Sequence, residues 1–273
     1  MIICKNDSGK DWVFRLLEDN MKVQADVLEK AITPQRILFG TEAKRDSDYK
    51  ITYNTSINIP KVETQQAFYA AQRHSIRLIR RVYSAKEKLC YGAIINGTKS
   101  AFEFDGQVVD LTTPDGEPLF SHNHSYGEVG RQSNIASGSL AEDDISYTIA
   151  RAVKHFKAMK DETGKPLGYK PDVIIVPSNR IALEHRVHKL LKGENYNGWT
   201  RIFLPSWETE DDRIILMSTK ANEELSGMVL FDNSPITVKG INTEDGCFKL
   251  MIEPVKLEIK FNTYKHILLV EDV

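Results

Sequence analysis

The chain has 273 residues, of which 36 are lysine or arginine and 38 are aspartate or glutamate. The resulting net charge of −2 excludes a protein that coats nucleic acid through a global positive field, so such contacts require local basic patches. Three widely spaced cysteines, Cys4, Cys90 and Cys247, predict neither a disulfide framework nor a zinc-thiolate site. The sequence has no apolar run approaching eighteen residues and no apolar N-terminal stretch, which predicts neither a membrane span nor a signal peptide. We therefore expect assembly in the cytoplasm.

Residues 1–40 predict an arm that is not fully buried within its own chain. The segment from Asp11 to Ile32 has helical character, but its apolar stripe is thin and is interrupted at Asn20. Because such a segment has little apolar area to bury, we expect it to pack on a neighbouring chain.

Residues 41–62 predict strands in an extended, exposed hairpin that ends at Pro60. Tyr49, Ile51 and Tyr53 alternate with polar residues, and this period of two is typical of strands. A free strand edge invites pairing with another chain. The segment therefore supplies four candidate intersubunit contacts: Lys44, Arg45, Tyr49 and Tyr53.

Residues 63–91 predict the clearest helix of the chain. Apolar and small residues recur at spacings of three and four: Ala71, Ser75, Leu78, Val82, Ala85 and Leu89. Gly92 is the predicted C-terminal stop. A helix of about 28 residues would be about 42 Å long, which suggests a spine running along a large subunit.

The same helix carries many basic residues: Arg73, Arg77, Arg80, Arg81, Lys86 and Lys88. The default interpretation is a face in contact with solvent. In an assembly, the face would instead meet acidic neighbours or packaged DNA. We identify Arg77, Arg80 and Arg81 as further candidate intersubunit contacts.

After a stretch over 101–138 that is rich in turn signals, Ser139 and Glu142 match a capping box, which predicts a second helix. The β-branched run from Val173 to Val176 lies between prolines and predicts a central strand buried on both faces.

Ser178 or Asn179 is expected to cap a third helix that extends to Leu191. The apolar stripe of that helix is predicted to be Ile181, Val187, Leu190 and Leu191. Further strands are predicted at 201–204, 213–217, 227–231 and 235–239 and within 247–271.

Candidate chemistry is sparse. On a strand, His122 and His124 would share a face and could touch a metal, but no third ligand stands at a recognisable spacing. Structural histidines are the favoured interpretation. Asp143 and Asp144 fit the N-terminal turn of a helix, and the acidic run over 208–212 predicts a solvated turn. No elbow serine, phosphate loop or dinucleotide fingerprint is present in the sequence, so we predict no catalytic, metal-binding or cofactor-binding residue.

Two motifs carry a resemblance to a known family. The segment EPLFSHNH at 117–124 is similar to a short histidine-containing segment of the Mu-type major head subunit family. The segment GKPLGYKPDVIIVP at 164–177 resembles that family's longer glycine- and proline-rich signature. The order of the predicted elements also resembles the Hong Kong 97 fold of tailed-phage major capsid proteins.

This resemblance implies an α+β fold of the Hong Kong 97 type in five segments. These are an N-terminal arm (1–40), an extended hairpin called the E-loop (41–62), a peripheral domain with the spine helix (63–138), an axial α/β domain (139–246) and terminal strands that return to the peripheral domain (247–273). A scaffolding domain is not visible at the N-terminus, so scaffolding is expected either from a separate protein or from a segment removed earlier.

The function implied is that of a capsid subunit, not an enzyme, which assembles through pentamers and hexamers into an icosahedral shell around double-stranded DNA. The implied partners are a scaffolding protein, a portal, head-completion proteins and packaged DNA held by non-specific contacts, with no membrane and no cofactor. The implied location is the virion capsid, assembled in the cytoplasm of a bacterial host. Two alternatives stay open: an encapsulin-like compartment, and a metal-dependent hydrolase or nuclease that uses His122 and His124.

Overall fold

The structure is a computed structural model that describes residues 2–6, 12–31, 34–43, 50–59, 65–125, 127, 130–204, 207–232, 236–242 and 248–273. The helices are α1 (Trp12–Lys30), α2 (Pro34–Leu38), α3 (Gln65–Ile95), α4 (Ile145–Lys157), α5 (Ile181–Leu191) and α6 (Thr219–Glu224). The first nine strands are β1 (Ile2–Asn6), β2 (Gly40–Ala43), β3 (Ile51–Tyr53), β4 (Ser56–Ile59), β5 (Ala101–Phe104), β6 (Gln107–Asp110), β7 (His124–Ser125), β8 (Arg131–Gln132) and β9 (Ile135–Ser137). The others are β10 (Val173–Pro177), β11 (Thr200–Leu204), β12 (Arg213–Met217), β13 (Met228–Asp232), β14 (Ile236–Asn242), β15 (Phe248–Ile252), β16 (Val255–Phe261) and β17 (Ile267–Glu271). The predicted mixture of helix and sheet is confirmed.

The chain divides into two compact units. The first contains Met1–Thr33, Thr41–Leu89 and Phe231–Glu258, and the second contains Pro34–Gly40, Cys90–Leu230 and Ile259–Val273. No helix within the described residues is both long enough and apolar enough to cross a membrane.

The first unit contains a four-stranded sheet in the order β1-β14-β15-β4. β1 lies parallel to β14, and the remaining pairs are antiparallel. In α1, Leu17, Met21 and Ala25 are fully buried at a spacing of four, whereas Val23 and Val27 on another face are more than half exposed. Much of the predicted arm is therefore part of this unit, because β1 pairs with β14 and one face of α1 is buried within the chain.

The predicted hairpin over 41–62 is wrong for its described part. β3 pairs with β16, with Ile51 opposite Leu257, and β4 pairs with β15, with Ile59 opposite Phe248. Both strands form as predicted, yet they pair with neighbours in different sheets and not with each other. Each strand buries an isoleucine, and this burial needs a partner surface that a free hairpin does not have.

The spine helix is confirmed as α3, which has 31 residues and is about 46 Å long. All six residues of the predicted stripe are buried. The predicted stop at Gly92 is wrong, since the helix continues to Ile95. A Cβ at Gly92 would lie 2.6 Å from Cε2 of Phe102, so this glycine makes room for an aromatic ring and does not end the helix.

The second unit is built on a five-stranded sheet in the order β11-β10-β12-β17-β9. β10 is the buried strand predicted from its β-branched run, and every one of its five residues is buried. Helices α4 and α5 contribute Ile149, Phe156 and Leu183 to the core of this sheet. The assignment of all terminal strands to the peripheral domain is wrong for β17, which pairs with β12 in this sheet.

The predicted caps of α4 and α5 are also wrong. Ser139 and Glu142 precede α4, which begins at Ile145 after Asp144, and Glu142 instead pairs with Lys189 at 2.6 Å. Arg180 is the N-cap residue of α5 and no side chain caps that helix. Ser178 and Asn179 bond to the segment that follows β11, so their hydrogen bonds serve tertiary contacts.

Candidate intersubunit surfaces

The basic face of α3 consists of five exposed side chains: Arg73, Arg77, Arg80, Arg81 and Lys88. They recur at helical spacing opposite the buried stripe, so their charges project from one side of the helix. Arg81 donates a hydrogen bond to the Ser56 carbonyl at 3.2 Å, which ties it to β4. Arg77 and Arg80 are exposed, and their side chains make no hydrogen bond or ion pair with a described residue. Both arginines are therefore available to another molecule.

Lys86 does not belong to this face. It is buried, and its Nζ lies 2.6 Å from Oδ2 of the buried Asp232 on β13. The prediction that Lys86 contacts solvent is therefore wrong. The sequence carried a signal, since Val82, Lys86 and Leu89 follow the spacing of the buried stripe.

Of the four candidate contacts from the predicted hairpin, only Tyr53 lies within the described residues. Tyr53 is half-buried on β3, where it lies opposite Val255 of β16. Lys44, Arg45 and Tyr49 lie outside the described residues. Tyr53 and Arg81 therefore lie in the same unit, Tyr53 on β3 and Arg81 on α3.

The two histidines do not form a metal site. His122 is exposed and contacts Oγ of Ser133 at 3.1 Å through Nδ1. His124 is fully buried, with Nδ1 3.0 Å from the Asp115 carboxylate and Nε2 3.2 Å from the Leu119 carbonyl. Both ring nitrogens of His124 are thus occupied by protein groups. No group of three or more metal-ligating side chains occurs among the residues that the structure describes.

His124 instead anchors a long connecting segment. Its ring stacks on Tyr264 with centroids 3.6 Å apart and planes 8° apart, and the Tyr264 hydroxyl donates to the Ser125 carbonyl at 2.8 Å. Burial lowers the pKa of His124, and the Asp115 carboxylate offsets part of that effect. Burial favours a raised pKa for Asp115, but hydrogen bonds from Thr113, Ser125 and His124 outweigh it and lower that pKa. This arrangement is structural, because every polar group in it is directed at another part of the same unit.

The acidic run over 208–212 is more than a solvated turn. Glu208, Glu210 and Asp211 are exposed, whereas Asp212 is buried. Its carboxylate accepts from Arg180 and Arg186, which lie at the start and on the side of α5. The prediction of a solvated turn is therefore wrong for Asp212, because two arginines neutralise its charge in the interior.

Sequence reasoning missed one surface, a groove beside α5 that we call the α5 groove. It is lined by Ile181, Glu184, His185, His188 and Arg201 and has a volume of about 340 Å³. Ile181 was predicted to lie in the buried stripe but is 76% exposed. The signal was the spacing of Ile181, Glu184, His185 and His188, which places these residues on one face of the helix.

The fold is shared with proteins of known structure. A virus-like particle from Pyrococcus furiosus is similar at a TM-score of 0.50 and 10% sequence identity, covering 93% of this chain and 98% of the other. A phage-related protein from Bordetella bronchiseptica RB50 is similar at a TM-score of 0.57 and 9% identity, covering 92% and 96%. The capsid of Myoviridae phage XM1 is a weaker match, at a TM-score of 0.41 and 14% identity over 82% and 73%.

No family model matches the sequence, and no curated protein matches it. Because the identities to these structures are only 10% and 9%, the likeness establishes the fold alone. The chain has the mixed helix and sheet fold of the virus-like particle and the phage-related protein, along nearly the whole length of both. The resemblance to the Mu-type family stays a prediction.

Proposed function

We propose that this chain is the major capsid protein of a tailed bacteriophage or prophage, a structural subunit and not an enzyme. The observation that carries the proposal is the fold likeness to a virus-like particle and to a phage-related protein over more than nine tenths of each chain. The subunit assembles through pentamers and hexamers into an icosahedral shell that encloses double-stranded DNA. The length of α3 fits this role, because a spine of about 46 Å gives a subunit an extended surface for its neighbours.

The proposed organisation is that of the Hong Kong 97 fold. The unit built on α3 and the four-stranded sheet corresponds to the peripheral domain, and the unit built on the five-stranded sheet corresponds to the axial domain. The E-loop is proposed over 41–62; its strands β3 and β4 pair within the chain, and residues 44–49 lie outside the described residues.

The proposed intersubunit contacts are the basic face of α3 and the residues beside the E-loop. Arg77 and Arg80 supply positive charge that no described residue pairs with, while Arg81 and Tyr53 shape the adjoining surface. Lys44, Arg45 and Tyr49 are proposed contacts on sequence grounds. The same basic face suits acidic neighbours or the phosphates of packaged DNA, which it would meet without sequence specificity.

Further proposed partners are a scaffolding protein, a portal and head-completion proteins, with assembly in the bacterial cytoplasm and a final location in the virion capsid. An encapsulin-like compartment is the alternative within the same fold, and the contents of purified particles distinguish it. The hydrolase alternative loses its support, because His124 has both ring nitrogens occupied and His122 lies apart from it on the surface.

Electron microscopy of the purified recombinant chain after size-exclusion chromatography tests the proposal. Closed shells, or rings of five or six, are expected, alone or with a scaffold supplied. Enclosed DNA supports a phage capsid, and an enclosed enzyme supports a compartment. A chain that remains a monomer in every salt and crowding condition, with scaffold present, would overturn the proposal.

The contribution of the basic face is tested by a double substitution, Arg77→Gln with Arg80→Gln. If these charges meet an acidic neighbour, assembly weakens and its dependence on salt becomes shallower, because fewer charge contacts are screened. The control is Lys170→Gln with Lys192→Gln, which removes two exposed positive charges from the other unit. Equal assembly of both double variants at all salt concentrations would remove the basic face from the list of contacts.

A further inference from the structure

The α5 groove adjoins an open sheet edge. β11 is the last strand of the five-stranded sheet, and β10 is its one strand partner among the described residues. The Thr200 amide donates to the Asp172 carbonyl on the β10 side. Because backbone groups alternate in direction along a strand, the backbone N–H and C=O groups of Arg201 and Phe203 point to the open edge of β11. An open edge beside an isoleucine that is 76% exposed is a surface that favours another polypeptide.

One positively charged side chain, Arg201, lines the groove. The Arg201 guanidinium lies 4.8 Å from the centroid of the Phe203 ring, a cation–π contact that holds the charge in place. His185 and His188 lie on the adjoining helix face, with Glu184 as the acidic member of the lining. Arg201 forms no ion pair with any residue in the described part of the chain. Arg201 is therefore the positive charge that an acidic segment would meet in the groove.

The same unit carries such a segment, formed by the exposed side chains of Glu208, Glu210 and Asp211, which we call the acidic segment. Its backbone is held firmly. Asn179 donates to the Thr209 carbonyl at 3.0 Å, and Arg180 donates to the Glu210 carbonyl at 3.0 Å. Within the described residues, none of the three carboxylates forms an ion pair. Because these hydrogen bonds fix the backbone, the acidic segment loses little conformational entropy when it binds another chain.

We infer that the acidic segment of one copy of this chain docks in the α5 groove of the next copy. This inference rests on the proposed function, since it names the surfaces that join subunits within a ring. The two surfaces are different and complementary, so the contact is heterologous. A heterologous contact whose rotation closes generates a ring. Charge complementarity sets the register, and burial of Ile181 adds the apolar part of the contact.

Charge reversal on each surface tests the inference. The first variant carries Glu208→Lys, Glu210→Lys and Asp211→Lys, and the second carries Arg201→Glu and His188→Glu. Each variant alone is expected to lose ring and shell formation about tenfold or more at physiological salt, because like charges then face each other. A chain that carries all five substitutions is expected to assemble again, since the charges are complementary once more.

Mixing the two single-surface variants gives a sharper test. Subunits of the two kinds then fit only in alternation. Alternation closes a ring of six but leaves a mismatch in a ring of five. We expect hexameric rings to return in the mixture while pentameric rings do not, as counted by electron microscopy. Recovery on mixing also proves that both variants fold.

The control reverses three exposed acidic residues elsewhere, Glu103→Lys, Asp143→Lys and Glu223→Lys, and is expected to assemble like the wild type. If the wild type assembles and both charge-reversed variants assemble equally well, the inference is wrong while the proposed function stands. If the wild type itself stays monomeric with a scaffold supplied, the proposed function fails. If either variant fails to fold by circular dichroism, the neutral set Glu208→Gln, Glu210→Gln and Asp211→Asn replaces it, and unchanged salt dependence of that set would overturn the inference.

Discussion

His266 gives the second unit a calculable sensitivity to acid. The side chain is fully buried, and neither ring nitrogen has a hydrogen-bond partner among the described residues. The space around it is tight, since a Cβ at Gly227 would lie 2.3 Å from Nδ1. Burial lowers the pKa of His266 from its ordinary value of 6.5 to about 3. The folded protein therefore holds this imidazole neutral where the unfolded chain would protonate it.

The sign of the effect follows from this difference. Below pH 6.5 the unfolded state binds a proton at this position and the folded state does not, so stability falls as the pH falls. The stability from the neutral ring is complete above pH 6.5 and declines by about 1.4 kcal/mol per pH unit until the folded pKa near 3 is reached. Between pH 8 and pH 4.5, the expected loss is about 2.7 kcal/mol from this one group.

Urea unfolding of the unassembled subunit at a series of pH values measures the effect. His266→Leu removes the titration while keeping a side chain of similar size, so the stability difference between the wild type and this variant should change by about 2.7 kcal/mol over that range. His122→Gln, at an exposed histidine, is the matched control substitution. Parallel pH profiles for the wild type and His266→Leu would refute the reasoning, because a neutral buried imidazole cannot then be the source of the acid sensitivity.

Two further predictions concern α3. Lys86→Ala leaves the buried Asp232 carboxylate without its lysine and is expected to cost about 3–5 kcal/mol in the free energy of unfolding. Lys86→Met combined with Asp232→Leu should recover most of that loss. A double variant as unstable as the single one would contradict this reasoning. Gly92→Ala should gain about 1 kcal/mol from helix propensity alone, but the close approach of Phe102 predicts a net loss of about 1–3 kcal/mol. Adding Phe102→Leu to Gly92→Ala should restore stability in a thermal or urea melt, and no recovery would show that the ring is not the cause.

The elements that could be predicted are those whose pattern is local. The stripe of α3 could be identified because burial on one helix face repeats every three or four residues. The buried strand β10 could be identified because a short β-branched run between prolines places apolar side chains on both faces of the strand. In both cases, residues close in sequence report on the same environment.

Predictions failed where distant residues decide the outcome. Lys86 is buried because Asp232, 146 positions away, meets it. Glycine by itself often ends a helix, but Gly92 lies within α3, where its missing side chain leaves room for Phe102. Ser178 and Asn179 are good cap residues, but the segment that follows β11 offers them better partners.

The sequence alone determined the buried stripe of α3, the buried strand β10 and, through two motifs, the resemblance to a tailed-phage capsid protein. The tertiary structure decided which strands pair, that β17 joins β12 and that β3 and β4 separate onto β16 and β15. It also brought α5 and β11 together to form the α5 groove and held the acidic segment in place. The physical reason is that periodicity encodes which side of an element is buried, whereas the partner on that side depends on where the rest of the chain brings its own apolar and charged surfaces.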